Sequence, residues 1–201
     1  GQTAVCPGQL PSIGEVCGAN HIIILNANGT VTSAAGDVEN GTFTLANNTL
    51  VLRLGTETTT LALTLNGNTL TARETAFSNT ANPNETSTGV INTLTKLAPV
   101  TAAQLAGTYR NVSITSPSGQ TVNCPGNIPG SDMCGASDTL TFNANGTVTF
   151  KGTGEEAENG TFTIAGNVLT IHSGNETLTS VAYFDGNFLK TRELTYNNPA
   201  D

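Results

Sequence analysis

Few side chains in this sequence are of types that perform acid–base or nucleophilic chemistry. There are two histidines, His21 and His172, and no zinc-protease helix, nucleophile elbow or phosphate-binding loop. Because the histidines fall in different halves of the chain, a histidine dyad or a metal pair would need an interface between those halves. We therefore expect structural or surface roles for both residues.

Two charged motifs were the remaining candidates for a reactive or metal-binding site. Arg-Glu occurs at residues 73–74 and again at 192–193, but neighbouring residues of a strand point to opposite faces, so the two members cannot share a site. The acidic run Glu155, Glu156 and Glu158 lacks the spaced oxygen ligands of a calcium loop. We expect charge pairing or a barrel-end cap for the arginines, a solvated loop for the acids, and no catalytic residue, metal or cofactor.

The four cysteines form two pairs that are close in sequence, Cys6 with Cys17 and Cys124 with Cys134. Turn-forming residues flank each pair, which predicts two short-loop disulfides and an oxidising, extracellular compartment. No apolar run approaches the roughly 20 residues of a membrane-spanning helix. The sequence therefore predicts a secreted protein without a membrane span.

The composition predicts an all-β protein. Threonine, asparagine and glycine are abundant and only 5% of the residues are aromatic, which is typical of strands joined by tight turns. The net charge is −8, with 7 basic and 15 acidic residues. Nucleic acids and anionic membranes require basic patches, so neither is an expected partner.

The sequence repeats itself once. LNANGTVT at 25–32 matches FNANGTVT at 142–149, and ENGTFTLANNTLVL at 39–52 matches ENGTFTIAGNVLTI at 158–171. Such self-similarity indicates two tandem copies of one domain. We assign residues 1–82 to the first domain, 83–106 to a linker and 107–201 to the second domain.

Each copy has the pattern of short antiparallel hairpins. Apolar residues alternate with threonine, as in Leu140 and Phe142, and Asn-Gly or Asp-Gly turns separate the segments. Strands of this kind bury one face, so each copy must close into a small antiparallel β-barrel or sandwich.

The first copy lacks the opening strand of the second. GTYRNVSIT at 107–115 has no counterpart, because residues 1–3 already align with 119–121. Six strands therefore face seven, and the first domain should present an unpaired edge and an apolar groove.

A strand-like segment in the linker, residues 89–97, is the main candidate to fill that groove. Its apolar residues are Val90, Ile91, Leu94 and Leu97. It could pair with its own first domain, enter the groove of a neighbouring molecule, or be an ordinary linker. Donation between molecules would build an open, head-to-tail filament. The C-terminal residues 192–201 are a second candidate donor.

Two other features concern the surface. Ile22 and Ile24 should point outward, where the second copy has threonines, and we interpret them as a candidate interface or as residues near a barrel end. Several asparagines begin N-x-S/T sequences, which are also typical of turns. Asn84, in the linker, is the best candidate for glycosylation.

The segments LAGTYRNVSIT, LTFNANGTVTF and GTFTIAGNVLTI of the second copy resemble the small bacterial lipocalin-like domains. The resemblance covers most of 107–194 and, without the first strand, 3–75, and it implies two small β-barrels. The missing strand and the linker strand resemble the architecture of extracellular bacterial fibre subunits that polymerise by donor-strand exchange.

The resemblance to fibre subunits implies a secreted structural protein that self-assembles as a homo-oligomer. The alternative is a binding module for a small apolar or carbohydrate ligand in a barrel mouth. We expect no enzymatic activity in either case.

Overall fold

The alternating segments form the strands of two separate units. The computed structural model describes residues 8–9, 16–17, 21–35, 37–85, 87, 89–115, 120–127, 133–135, 137–152 and 154–199. The units comprise residues 1–96 and 97–201, so residues 83–96 of the predicted linker belong to the first unit and 97–106 to the second. In the described ranges, no helix has the length and apolar character needed to cross a bilayer.

The first unit is an antiparallel meander with a small separate hairpin. Its strands are β1 Gly8–Gln9, β2 Val16–Cys17, β3 Ile22–Leu25, β4 Thr30–Ala34, β5 Val38–Ala46, β6 Thr49–Leu54, β7 Glu57–Asn66, β8 Thr69–Asn79 and β9 Ile91–Thr95. Strands β3 to β9 form one sheet in sequence order, and β1 pairs with β2. The core consists of Val31, Leu50, Leu52, Leu61 and Ala72.

The second unit repeats this meander and adds an opening strand. Its elements are α1 Ala102–Leu105, β10 Gly107–Arg110, β11 Ser113–Thr115, β12 Thr121–Asn123, β13 Gly126–Asn127, β14 Met133–Cys134, β15 Thr139–Phe142, β16 Thr147–Lys151, β17 Glu158–Ala165, β18 Val168–Ser173, β19 Glu176–Asp185 and β20 Phe188–Asn197. The sheet order is β10 followed by β15 to β20. The all-β fold, with two curled antiparallel sheets, agrees with the sequence analysis.

The opening strand is shorter than the sequence pattern predicts. Residues 107–115 do not form one strand, because the chain leaves the sheet after Arg110 and continues as β11, which pairs with β12. The amide of Cys124 donates to the carbonyl of Val112 (3.0 Å) and ties this second hairpin to the bend. Residues 107–115 therefore contribute strands to two different sheets.

One glycine in each domain allows the sheet to curl. Gly41 and Gly160 occupy matching positions on the core-facing side of β5 and β17. A Cβ atom on Gly41 would collide with the carbonyl of Arg53, and one on Gly160 would collide with the carbonyl of His172. Only glycine permits such close approach of neighbouring backbones within a strand.

The linker strand β9 pairs with its own first domain. It lies antiparallel to β8, with Leu94 opposite Leu70 and Ile91 opposite Arg73. This is the intramolecular alternative of the three considered, but β9 does not occupy the position of the missing opening strand. That strand would lie beside β3, whereas β9 lies at the other edge of the sheet.

The direction of β9 also differs from that of the opening strand. In each sheet consecutive strands alternate in direction, so β9 runs opposite to β8, while β10 runs in the same direction as β20, the counterpart of β8. A strand in the direction of β9 would be parallel to β3. β9 therefore cannot reproduce the antiparallel pairing that β10 makes with β15.

Candidate functional site

The outer edge of β3 has backbone groups that point away from its own sheet. The amide of Asn26 donates to the carbonyl of Thr30 across the turn between β3 and β4 (2.9 Å). Hydrogen-bonded pairs alternate along an antiparallel ladder, so the amides and carbonyls of Ile23 and Leu25 point away from β4. No strand in the described part of the chain pairs with this edge. We call it the acceptor edge.

The second domain covers the corresponding edge with β10. Leu140 and Phe142 hold the repeat positions of Ile23 and Leu25. Both lie opposite residues of β10, with Tyr109 facing Leu140. The backbone groups that are directed outward in the first domain are therefore paired in the second.

A short segment ahead of β10 closes one end of the second sheet. The side chains of Val100 and Leu105 belong to the core of the second domain, and Leu105 is fully buried. The amide of Val100 donates to the carbonyl of Gly166 (2.9 Å), and the side-chain amide of Asn167 donates to the carbonyl of Ala98 (2.8 Å). We call residues 98–106 the plug.

The same end of the first sheet is open to solvent. Leu25, Leu45 and Leu65 lie at the ends of β3, β5 and β7 on the core-facing side, and they are 40%, 58% and 69% exposed. Their counterparts in the second domain are more buried. Phe142 is 1% exposed, Ile164 is half-buried and Phe184 is 37% exposed. We call this end of the first sheet the apolar opening.

The opposite end of the second sheet holds a groove of about 200 Å³. Its apolar lining comes from Phe150, Ile171, Leu178 and Tyr196. Ser173 and two exposed carboxylates, Glu158 and Glu176, complete it. The side-chain amide of Asn198 donates to Glu176 Oε1 (3.3 Å). An apolar floor beside two carboxylates suits a small ligand with a positive or hydrogen-bond-donating end.

Both carboxylates of this groove recur in the first domain. Glu39 and Glu57 hold the repeat positions of Glu158 and Glu176. Burial raises the pKa of Glu57, and the nearby carboxylates of Glu85 and Glu39 raise this pKa further. Glu85, which belongs to the linker, thus adds a negative charge near Glu57.

The charge pattern by itself does not single out Glu57 or Glu176. The acidic run of residues 155–158 is more conspicuous, but only Glu158 of that run lines the groove. Aligning GTETTT at 55–60 with GNETLT at 174–179 identifies the second carboxylate of each pair. The internal repeat is therefore the feature of the sequence from which this pair of carboxylates could have been predicted.

Both the covered edge and the groove fall within one family match. Residues 105–196 match the family model of the lipocalin-like domain. The match begins at Leu105 of the plug and includes β10 and all the groove residues. No curated protein and no solved structure is significantly similar to the chain.

The predicted assembly residues lie around β9, outside the lipocalin-like match. Val90 and Leu94 are half-buried, and Ile91 is 59% exposed on the other face of the sheet. The carbonyl of Val90 accepts from the amide of Glu74 (2.7 Å). Leu97 is half-buried and belongs to the second unit. Val90 and Leu94 thus hold the linker strand against its own domain, and the role of all four residues in assembly stays a prediction.

The predicted interface pair lies on the face of β3 opposite to Ile23. Ile22 is opposite Ala34 and Ile24 is opposite Thr32. Ile22 is only 9% exposed and Ile24 is half-buried. Ile22 is therefore already covered, and this face presents a smaller apolar surface than the sequence pattern suggests.

Both histidines are exposed, and the members of the first Arg-Glu pair differ in burial. His21 Nε2 lies 3.2 Å from Ser33 Oγ, and His172 Nδ1 lies 3.0 Å from Thr177 Oγ1. Arg73 is exposed while Glu74 is buried, as expected for neighbours in a strand. Among the described residues, no group of three histidine, cysteine or carboxylate side chains is placed to hold a metal ion.

One of the predicted disulfides lies within the described residues. Cys124 and Cys134 are joined, with their Cα atoms 5.4 Å apart. Cys6 lies outside the described residues, but the β1–β2 hairpin that ends at Cys17 has the same register as the β13–β14 hairpin that ends at Cys134. Asn84 is exposed in a turn, and its glycosylation stays a prediction.

Proposed function

We propose that the protein is a secreted, non-enzymatic structural protein that self-associates through the acceptor edge of its first domain. The observation that carries the proposal is the difference between the two sheets: β10 pairs with β15, whereas the described residues contain no strand beside β3. A neighbouring molecule supplies the missing strand and restores the antiparallel pairing found in the second domain.

The composition of β3 supports this role. Its four residues, Ile22–Leu25, are all apolar. Edge strands that avoid association usually carry lysine, proline or a bulge, and β3 has none of these features. The edge therefore lacks these three kinds of protection against pairing with another chain.

The location of β9 changes the earlier hypothesis about the donor. Residues 89–97 were the candidate donor to a neighbour, but β8 of the same domain already pairs with 91–95. Donation of this segment to another molecule would break that pairing. The proposal therefore no longer requires 89–97 as the donor, and the acceptor edge is its essential element.

The geometry of such an association favours a filament. An acceptor on one surface and a donor on another make a heterologous contact, which forms an open polymer unless the rotation closes a ring. The Cys124–Cys134 disulfide is compatible with an extracellular location, because disulfides persist in oxidising compartments.

The test removes one outward-facing amide from the acceptor edge. Leu25→Pro eliminates the Leu25 N–H, and a proline is tolerated at an exposed edge because this N–H has no partner in its own sheet. Leu25→Ala removes the same side chain but keeps the amide, so it measures how much of any loss comes from the side chain. We expect concentration-dependent large species by sedimentation velocity, and fibres by negative-stain electron microscopy, for the unmodified chain, and weaker association for Leu25→Ala. Leu25→Pro should be monomeric. A strictly monomeric unmodified chain at high concentration would contradict the proposal.

The groove of the second domain supports a second candidate function, the binding of a small ligand. We propose that it accepts a compact apolar molecule with an ammonium group, because Tyr196 and three aliphatic or aromatic side chains lie beside Glu158 and Glu176. At about 200 Å³ the groove is smaller than a typical drug-sized pocket. A ligand of one ring fits this size.

This second function is tested with matched probes. Benzylammonium should raise the unfolding temperature more than neutral benzyl alcohol or a monosaccharide, and Glu176→Gln should remove the difference. Glu57→Gln, at the matching position of the first domain, is the control and should preserve it. Equal shifts with benzylammonium and benzyl alcohol would contradict a role for the carboxylates.

A further inference from the structure

The plug and β10 form one continuous cover over the second domain. Residues 98–106 close the end of the sheet, and Gly107–Arg110 then pairs along its edge. Thr101 and Gln104 stabilise the turn between them, because the Thr101 hydroxyl accepts from the Gln104 amide (3.3 Å) and Gln104 Oε1 accepts from the Thr101 amide (2.9 Å). This segment thus combines an apolar anchor with a strand.

The first domain has matching receptors for both parts of that cover. The acceptor edge corresponds to the edge that β10 covers, and the apolar opening corresponds to the end that the plug closes. Asn48 matches Asn167, and each accepts a backbone hydrogen bond at the same place in the repeat, from Leu63 and Ala182, respectively (both 2.8 Å). The two receptors are adjacent, because Leu25 belongs to both of them.

We infer that the first domain binds a polypeptide segment with the chemistry of residues 98–110. Such a segment has an apolar residue, a helical turn that ends in leucine, and a strand that begins Gly-Thr-aromatic. Its leucine fills the apolar opening between Leu45 and Leu65, and its strand pairs antiparallel with β3. The inference rests on the proposed function, because it takes the acceptor edge as the place where a strand binds.

The second domain of the same chain supplies the argument for this occupant. Leu105 is fully buried there, and Tyr109 packs against Phe142 with ring centroids 6.0 Å apart. A free strand alone would pair with Ile23 and Leu25 but leave Leu45 and Leu65 exposed. In the second domain the cover pairs with the edge and shares one core with Phe142 and Ile164, the counterparts of Leu25 and Leu45.

The probe is a fluorescent synthetic peptide with the sequence of residues 98–110, added to the full chain. We expect saturable binding by fluorescence anisotropy, and slower hydrogen exchange at the amides of Ile23 and Leu25. The same peptide carrying Leu105→Asp should bind at least about tenfold more weakly, a loss of about 1.4 kcal/mol.

Two variants of the full chain locate the binding site. Leu65→Asp should weaken peptide binding by about tenfold or more, since Leu65 is the most exposed leucine of the opening. Ile91→Asp is the matched control, because Ile91 is similarly exposed (59%) in the same domain but lies on the other face of the sheet. It should leave binding unchanged.

The outcomes separate this inference from the proposed function. The inference would be overturned if Leu65→Asp and the unmodified chain bound the peptide equally well, or if the peptide slowed hydrogen exchange only in β15. Self-association without any peptide binding would also overturn it while leaving the proposed function intact. Peptide binding by a chain that remains monomeric would support the inference and contradict self-association.

Discussion

The rings of Phe142 and Phe162 meet edge to face in the core of the second domain, with their centroids 4.9 Å apart. Phe142 is almost completely buried because β10 and the plug cover its end of the sheet. Leu25 occupies the matching position in the first domain and is 40% exposed. The same repeat position is therefore a core residue in one domain and a surface residue in the other.

This difference predicts unequal costs for the two truncations. Phe142→Ala should lower the free energy of unfolding of the second domain by about 3–5 kcal/mol, because it leaves a cavity in a packed core. Leu25→Ala should cost the first domain less than about 1 kcal/mol. Denaturant titration followed by NMR signals from each domain measures both values. Similar losses for the two variants would show that Leu25 is covered in solution.

The acidic end of the first domain predicts a pH-dependent effect of Glu57. Because burial and neighbouring carboxylates raise its pKa, the folded domain binds this proton more tightly than the unfolded chain. The free energy of unfolding therefore falls as pH rises between the ordinary value of 4.5 and the raised pKa. Glu57→Gln removes this loss and should stabilise the domain slightly at neutral pH, by about 0.5 kcal/mol or less.

The pH profile is the check on that prediction. The advantage of Glu57→Gln should disappear at a pH below 4.5, where Glu57 is protonated in both the folded and the unfolded state. Glu176→Gln, at the matching position of the second domain, is the control. A stabilisation that is the same at low and neutral pH would rule out the electrostatic cause.

The buried side chain of Glu74 is the basis of another prediction about the first domain. Its side chain is 7% exposed and opposite Leu61, and Oε1 has no hydrogen-bond partner among the described residues. A buried polar atom without a partner lowers stability, so Glu74→Leu should raise the free energy of unfolding by about 1–2 kcal/mol. Its repeat counterpart Glu193 is exposed, and Glu193→Leu should give no such gain. Thermal unfolding of both variants provides the comparison.

The position of β9 predicts that one face of the linker strand stabilises the first domain. Leu94 is half-buried and opposite Leu70, whereas Thr93 is exposed and opposite Thr71. Leu94→Asp should lower the free energy of unfolding by about 1–3 kcal/mol and speed hydrogen exchange in β8. Thr93→Asp should change both by much less. If the two variants behave alike, β9 does not stay on β8 in solution.

The duplication and the hairpins could be predicted from sequence because their signals are local. Alternating threonine and apolar residues define the two faces of each strand, and residues such as Asn47 and Gly166 supply the positive φ of two-residue turns. The residues before Cys6 contain no counterpart of Tyr109 and its neighbours, and the folded sheet shows no described strand beside β3.

The partners of the edge strands could not be predicted in the same way. The alternation of apolar and polar residues along a strand specifies which side chains face the core. It does not specify which edge of a sheet the strand joins or in which direction it runs. Residues 89–97 read as a strand, yet only the folded sheet shows that 91–95 pairs with β8 and leaves the outer side of β3 without a described partner.

The sequence by itself determined that the chain contains two related β-domains, because strand pattern and repetition are properties of the linear chain. Tertiary structure decided which edge of the first sheet has no partner among the described residues. The plug, the apolar opening with Leu45 and Leu65, and the paired carboxylates of the groove arise from residues far apart in sequence. Only the curling of each sheet brings such residues to the same end of a domain.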